Sequence, residues 1–287
     1  MVSLIKNKMK KYFKFILPAL LLVALYSFKY KSNERTDQPT AIAYYNFYHI
    51  KDSTQTGRLY SEDFILSFNT RESVYISQTR VKQDSTVQAI LAAAEAKNSD
   101  VVDMGTYLPV TEDDIYIENG KIAIVKNTPQ QRYLITETDD KTDWKIDKET
   151  KDLLGYTCQK ATGICKGRKY TAWFTTDIPA SFGPWKLQGL PGLILEAYDD
   201  RHFIKFTCTK LVTQGNLQNV KSINIPSDAI STTRKEYEQM KKAQADGFNM
   251  FGNDSGIVVD KVTSNGGNSN AGPKKKFTIN YPLELTD

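Results

Sequence analysis

Short runs of alternating apolar and polar residues recur along the chain, and they predict a protein built mainly of strands. Ala41 to Ile50 (AIAYYNFYHI) is rich in aromatic and β-branched residues and reads as a first strand. Asp63 to Phe68 and Ser73 to Ile76 read as two more, joined around Asn69 to Glu72. An alanine-rich helix is expected over Val87 to Ala96, capped by Asp84-Ser-Thr and closed by Asn98. Tyr116 to Glu118 and Lys121 to Val125 flank Asn119-Gly120, the strongest hairpin signal in the chain, because Asn-Gly supplies the positive φ angles of a two-residue turn. Tyr133 to Glu137 and Trp144 to Ile146 continue the series.

The pattern is most regular in the next stretch. Gly155 to Thr162 and Arg168 to Thr175 read as strands separated by a loop holding Gly163 and Gly167. In the second, Tyr170, Ala172 and Phe174 share one face, and Thr171, Trp173 and Thr175 the other. Leu193 to Tyr198 and Phe203 to Leu211 form another pair around Asp199-Asp200-Arg201, with Ile204, Phe206 and Cys208 on one face. Such alternation fits an antiparallel sheet with one wet side. Thr233-Arg-Lys-Glu236 is a capping box that opens a charged surface helix from Arg234 to about Ala245. Residues 264–272 (SNGGNSNAG) form a polar low-complexity loop expected to be mobile, and Lys276 to Leu285 reads as a terminal strand interrupted at Pro282. No internal repeat or linker is visible, so residues 37–287 are expected to form one β-rich domain.

The stretch Gly183 to Asp200 (GPWKLQGLPGLILEAYDD) poses a choice between chemistry and architecture. Pro184 can stand at the first position of a short helical turn. Pro191-Gly192 can fill the centre of a type II turn, with glycine taking φ > 0, and Gly189 can allow close backbone approach. Leu190 and Leu193 flank the turn, and Leu193-Ile194 starts a strand. Each residue type in Gly183, Pro184, Gly189, Leu190, Pro191, Gly192, Leu193 and Ile194 thus has a structural role, and the architectural reading is preferred.

Gly189-Leu-Pro-Gly-Leu-Ile194 is also the hexapeptide for which the GLPGLI family of exported Bacteroidota proteins is named, and the chain resembles that family. The resemblance extends to Lys160-Ala161, Gly167-Arg168, Ala172-Trp173-Phe174, Ile178-Pro179, Gly183-Pro184 and Leu193-Ile-Leu-Glu196, and Tyr281-Pro-Leu-Glu-Leu285 is similar to the family's terminal element. Cys165 stands where the family pattern has an aromatic residue. The family carries no established activity; its members are associated with outer-membrane uptake systems. The resemblance implies an α+β fold, mainly antiparallel β: a curved sheet or open half-barrel with a few helices, like the periplasmic lipoprotein carriers. Fold analogy of this kind does not give function.

Composition changes the picture at the N-terminus. Lys6, Lys8, Lys10, Lys11 and Lys14 precede the apolar run Phe15 to Phe28, the pattern of an export signal, here placed over residues 1–36 with Met9 as an alternative start. The run is shorter than the roughly 20 residues a spanning helix needs. The chain holds 38 Lys+Arg against 33 Asp+Glu; eight of those bases and one acid lie in residues 1–36, which leaves 30 bases against 32 acids, a net charge of −2. The body therefore gives no electrostatic reason to expect nucleic acid, and membrane contact is expected only through the signal. Cys158, Cys165 and Cys208 allow one disulfide plus a thiol, or three buried reduced thiols.

Candidate chemistry is sparse. His49 and His202 are the only histidines, and no H-E-x-x-H, C-x-x-C or G-x-S-x-G occurs. No catalytic residue, metal ligand or cofactor is assigned. The acid pairs Asp113-Asp114, Asp139-Asp140 and Asp199-Asp200 read as solvated turn formers, as does His202. Arg168, Tyr170 and Trp173 could face a carboxylate or apolar ligand; the competing expectation has Trp173 filling the core and Arg168 pairing with an acid such as Glu196. The reading is an exported periplasmic or outer-membrane-associated protein that binds, without catalysis, a lipid-like, peptide or envelope-protein partner. A hydrolase using loop carboxylates or a Cys/His pair, and a docking subunit of an outer-membrane uptake system, stand as alternatives.

Overall fold

The computed structural model describes residues 38–286, except 100–101, 105–107, 129, 138–141, 214–216, 218–221 and 249–277. The expected export segment, the polar loop at 264–272 and the pair Asp139-Asp140 lie outside the described residues. What is described is one twelve-stranded sheet, almost wholly antiparallel, that does not close into a barrel, with two helices: an α+β fold dominated by β.

The strands are β1 (Ala41–His49), β2 (Tyr60–Phe68), β3 (Glu72–Ser77), β4 (Asp113–Glu118), β5 (Lys121–Asn127), β6 (Arg132–Thr136), β7 (Lys145–Leu153), β8 (Tyr156–Cys165), β9 (Arg168–Thr175), β10 (Leu193–Asp199), β11 (Ile204–Val212) and β12 (Ile230–Thr232). Their order is β12-β6-β5-β4-β3-β2-β1-β11-β10-β9-β8-β7. Two meanders, β1 to β6 and β7 to β11, therefore join through a single long-range seam, β1 against β11. The short β12 is the one parallel neighbour, beside β6.

Pleat parity carries one apolar row across the first meander. Ala43, Leu66, Tyr75, Ile115, Ile124 and Ile135 are successive cross-strand partners on β1 to β6, and all are buried. This face, the inner face, continues through Phe206 of β11 and Tyr170, Ala172 and Phe174 of β9 into one core. A smaller core of Val74, Ile76, Tyr116, Ala123, Val125 and Ile223 lies on the other face of β3 to β5. The far edge is guarded by charge: β7 carries Lys145, Asp147, Lys148, Glu149, Lys151 and Asp152, which suits a border exposed to water.

Local chemistry explains most element ends. Asn119 and Gly120 take φ of 51° and 82°, both positive, as the β4–β5 hairpin requires. Thr233 and Glu236 form the expected capping box, with Glu236 accepting from the Thr233 N–H at 2.9 Å and Thr233 Oγ1 from the Glu236 N–H at 3.2 Å, opening helix α2 (Arg234–Phe248). Four expectations are corrected. Helix α1 spans Gln78–Ala96, starting nine residues before Val87, because Ser77 at the end of β3 caps it by accepting from the Arg80 N–H at 2.9 Å. The β8–β9 connection is a two-residue turn, Lys166-Gly167, with φ of 47° and 74°; Gly163 lies inside β8, where a Cβ would meet Trp144 at 2.8 Å. Residues 278–286 form no strand; they run as an irregular tail whose Tyr281 and Leu283 pack against the core. Cys158, Cys165 and Cys208 are all buried free thiols, so the disulfide alternative falls.

Candidate functional site

Two segments fold over the inner face. The first is the connection between β9 and β10, residues 176–192. It doubles back on itself through Gly189 N–H to Ser181 O at 3.0 Å, Ile194 N–H to Phe182 O at 3.0 Å and Leu193 N–H to Ile178 O at 3.1 Å. Its glycines do not take the expected roles. Gly189 carries the positive φ, 94°, while Gly192 does not. Gly192 instead permits a close approach: a Cβ there would stand 2.0 Å from the Thr175 carbonyl oxygen. The type II turn at Pro191-Gly192 is thus replaced by a left-handed residue two positions before Pro191 and a tight pass against β9. Gly183 is similarly pressed, with a Cβ position 2.8 Å from Ile194. Pro184 begins a turn closed by Leu187 N–H to Pro184 O at 3.2 Å, which brings Trp185 and Lys186 to the inner face. Leu190, Leu193 and Ile194 are fully buried, and Ile194's carbonyl accepts from the Tyr45 hydroxyl at 2.7 Å beside a bulge in β10.

The second segment is the tail, 278–286, and polar groups latch it down. Asp52 accepts from Asn280 Nδ2 at 3.1 Å and from the Thr278 N–H at 3.3 Å. His49 Nε2–H donates to the Tyr281 carbonyl at 2.7 Å. Arg168 donates to the Pro282 carbonyl at 2.5 Å and lies 4.1 Å over the Tyr281 ring. The Leu285 N–H donates to the Lys166 carbonyl at 2.9 Å. Burial, and then the nearby Lys51 and Arg168 charges, outweigh the carbonyl and Asp199, and lower the His49 pKa to about 4.

Between the sheet and these two segments lies a partly enclosed cavity of about 140 Å³. Phe47, Phe64, Tyr75, Trp185 and Phe206 form aromatic walls, with Ile115 and Ile124 beside them. The rings hold one another: Phe64 stacks on Tyr75 at 4.6 Å, and Phe47 on Phe206 at 4.8 Å. Tyr75 is 3% exposed, and its buried hydroxyl has no hydrogen-bond partner among the described residues. Burial pushes its pKa well above the ordinary phenol value, so it is a neutral donor.

Charged groups line the other side: Lys126, Lys186 and Arg234 against Asp113 and Glu284. Lys126 pairs with Asp113 at 2.6 Å. Lys186, only 2% exposed, donates to Glu137 at 2.6 Å and to Glu284 at 2.7 Å. Arg234 also bonds Glu137, and Lys166 reaches it at 3.2 Å. Burial works to raise the Glu137 pKa, but the Lys186 and Lys166 ammonium groups prevail and lower it, holding the carboxylate ionised.

None of the residues expected to face a ligand lines this cavity. Arg168 serves the tail latch and faces Asp199 at 3.5 Å. Tyr170 is fully buried in the core. Trp173 points to the opposite face, where Lys151 lies 4.3 Å over its ring. The expected Arg168–Glu196 pair is absent for a reason of parity. Glu196 opposes Trp173 in the β9–β10 ladder and so shares its face, where Lys151 at 2.5 Å and Lys205 at 3.0 Å hold it; Asp199 opposes Tyr170 and shares the face of Arg168. The hydrolase alternative needed an acid or thiol against a histidine. Asp199 accepts from the Phe203 and Ile204 N–H groups at 2.8 and 2.9 Å and from the Tyr281 hydroxyl, and so is occupied by structure. His202 is exposed and stacks on Tyr198 at 4.3 Å. No group of three or more potential metal ligands occurs among the described residues.

No curated protein matches the chain. Among solved structures, PNGF-II in two crystal forms is similar at TM-scores of 0.46 and 0.43, with 15% and 16% identity, over 70% of this chain and 32% of that one. This chain therefore spans about a third of PNGF-II. An uncharacterized conserved protein from Thermus thermophilus is similar at a TM-score of 0.34 and 9% identity, over 74% of this chain and 99% of that one. Residues 164–196, which run from the end of β8 through the Gly189–Ile194 hexapeptide, match the family described as "Protein of unknown function (Porph_ging)".

Proposed function

We propose that this chain is an exported cell-envelope protein of the GLPGLI type whose inner face binds a small apolar group without transforming it. The observation that carries the reading is the Tyr75 hydroxyl: a buried donor with no partner among the described residues, on a side chain that lines an aromatic cavity. A buried polar group left unpaired costs about 1–3 kcal/mol, so such a group calls for a ligand or another specific role. The volume limits the guest. A cavity of about 150 Å³ holds a benzene-sized molecule, whereas sites for larger ligands run from about 300 Å³. An entire acyl chain does not fit; a single ring or a short branched chain does. Export and the periplasmic or outer-membrane location rest on the basic-then-apolar pattern of residues 1–28.

Saturation-transfer NMR on the full chain with benzyl alcohol tests this reading. Transfer to the ring protons is expected, with a Kd on the order of 1 mM for so small a probe. Ile124→Phe, which fills the cavity from the β5 wall, should abolish it. No transfer with the folded wild-type chain, or equal transfer with Ile124→Phe, overturns the reading.

A further inference from the structure

The tail is held as a bound peptide is held. The buried core closes without it: every buried apolar side chain among the described residues lies between Ala41 and Tyr237, while Tyr281 and Leu283 pack against that core only partly buried. The tail forms no helix or strand, and its main chain is matched by groups of the body. The Asn280 and Tyr281 N–H groups donate to the Lys51 carbonyl at 3.2 and 3.1 Å. The Tyr281 and Pro282 carbonyls accept from His49 and Arg168. Proline suits its position, since it offers Arg168 an acceptor and brings no N–H to satisfy. The side chains are matched one by one. Asn280 donates to Asp52, and its Oδ1 accepts from the Ser53 N–H at 2.8 Å. Tyr281 donates to Asp199 and lies edge-on to Phe203, ring centroids 5.2 Å apart. Glu284 accepts from Lys186. Main-chain bonds to a segment without regular structure, with separate seats for its side chains, are a common means of peptide recognition.

We infer that this seat is a second binding site, one for an extended peptide, and that the tail occupies it as an intramolecular ligand. The partner that fits is a segment of another protein with the order amide, aromatic, proline, apolar, acid, as in Asn280-Tyr-Pro-Leu-Glu284. Such a segment competes with the tail and takes over its bonds. A basic residue in the place of the acid would face Lys186, and like charges repel. Leu283 and Glu284 also line the aromatic cavity, so exchange of the tail exchanges part of that cavity's wall. The peptide site stands apart from the binding role proposed above, because it needs no guest in the cavity.

The test uses the full chain with a protease recognition sequence in place of residues 264–272, and a fluorescent peptide of residues 278–287 (TINYPLELTD) followed by anisotropy. Cleavage severs the covalent link between body and tail and leaves both in solution. The cut chain should keep its near-UV circular dichroism and exchange its tail for the peptide, with a Kd on the order of 10 μM. The uncut chain should bind the peptide at least about tenfold more weakly, because its own tail holds the seat. Peptides carrying Tyr281→Ala or Glu284→Lys should bind the cut chain about tenfold more weakly than the unaltered one, since each loses a charge-assisted contact. Changes confined to the peptide cannot unfold the protein. Unfolding of the cut chain would make the tail a part of the fold and overturn the inference. So would a cut chain that leaves the peptide unbound, equal binding by cut and uncut chains, or equal binding of the unaltered and Tyr281→Ala peptides.

Discussion

Replacing Tyr75 with Phe separates a residue kept for binding from one kept for stability. The ring stays: it is 3% exposed and stacked on Phe64 at 4.6 Å, and phenylalanine keeps both features. Only the unpartnered hydroxyl goes. In the unfolded chain water bonds that hydroxyl, so folding loses a hydrogen bond and gains none. Relief of that loss is worth about 1–3 kcal/mol. Against it stands a cavity enlarged by about 10 Å³, which costs about 0.2 kcal/mol. The first effect wins, and the variant should be more stable by about 1 kcal/mol, a rise in Tm of about 2–4 °C for a body of this size. The same change should weaken binding of benzyl alcohol, since the lost donor is what the guest was to use. Calorimetry and NMR titration on one preparation give both numbers. A fall in Tm would mean that the hydroxyl is satisfied in the folded chain, and the argument built on it would be refuted.

Other outcomes follow from the geometry. Gly192→Ala should destabilise by about 3 kcal/mol or more, because backbone at Thr175 cannot retreat, whereas Gly189→Ala, strained in φ but unobstructed, should cost about 1–2 kcal/mol; urea titrations showing the reverse order would undo the assignment of their roles. His49, with its pKa lowered to about 4 from an ordinary 6.5, favours the fold when neutral. Its contribution is therefore complete above about pH 6.5 and declines as the pH falls toward 4, where denaturant midpoints should drop and the tail should release; a His49→Gln chain with the same pH profile would contradict this. Burial raises the thiol pKa to about 11 for Cys158 and Cys165 and to about 12 for Cys208. None should react with a disulfide reagent at pH 8 in the folded chain and all three should react in denaturant, so a fast thiol in the native protein would be a clear failure.

Much of the fold was legible because it is local. The aromatic and β-branched run of β1, the alternation in β9 and β11, Asn119-Gly120, and the Thr233–Glu236 box each encode their structure within a few residues. What was missed depends on distant partners. Ser77 reads as a strand residue until β3 is seen to feed straight into α1. The largely charged residues 147–152 give no apolar alternation, because β7 is an edge whose chemistry is set by water. Gly189 and Gly192 exchanged roles because the backbone crowding Gly192 belongs to Thr175 on another strand. The cavity was the least legible feature. Its walls come from β1, β2, β3, β4, β5 and β11, closed by Trp185, Lys186 and the tail, and no spacing along the chain announces that these meet. Arg168, Tyr170 and Trp173 drew attention as neighbours in sequence, but pleat parity puts Trp173 on the far face.

The seam between β1 and β11 has a consequence for how the chain is made. Ala43 finds its partner only when Leu211 exists. At a translation rate of about 5–20 residues per second, that wait is on the order of 10–30 s. Throughout it the nascent β1 keeps one flank of amides unpaired, with Tyr45 and Phe47 uncovered, a border open to pairing with other chains. Closure of the seam therefore waits for β11, and a holding factor that shields β1 until then would guard an exposed strand edge.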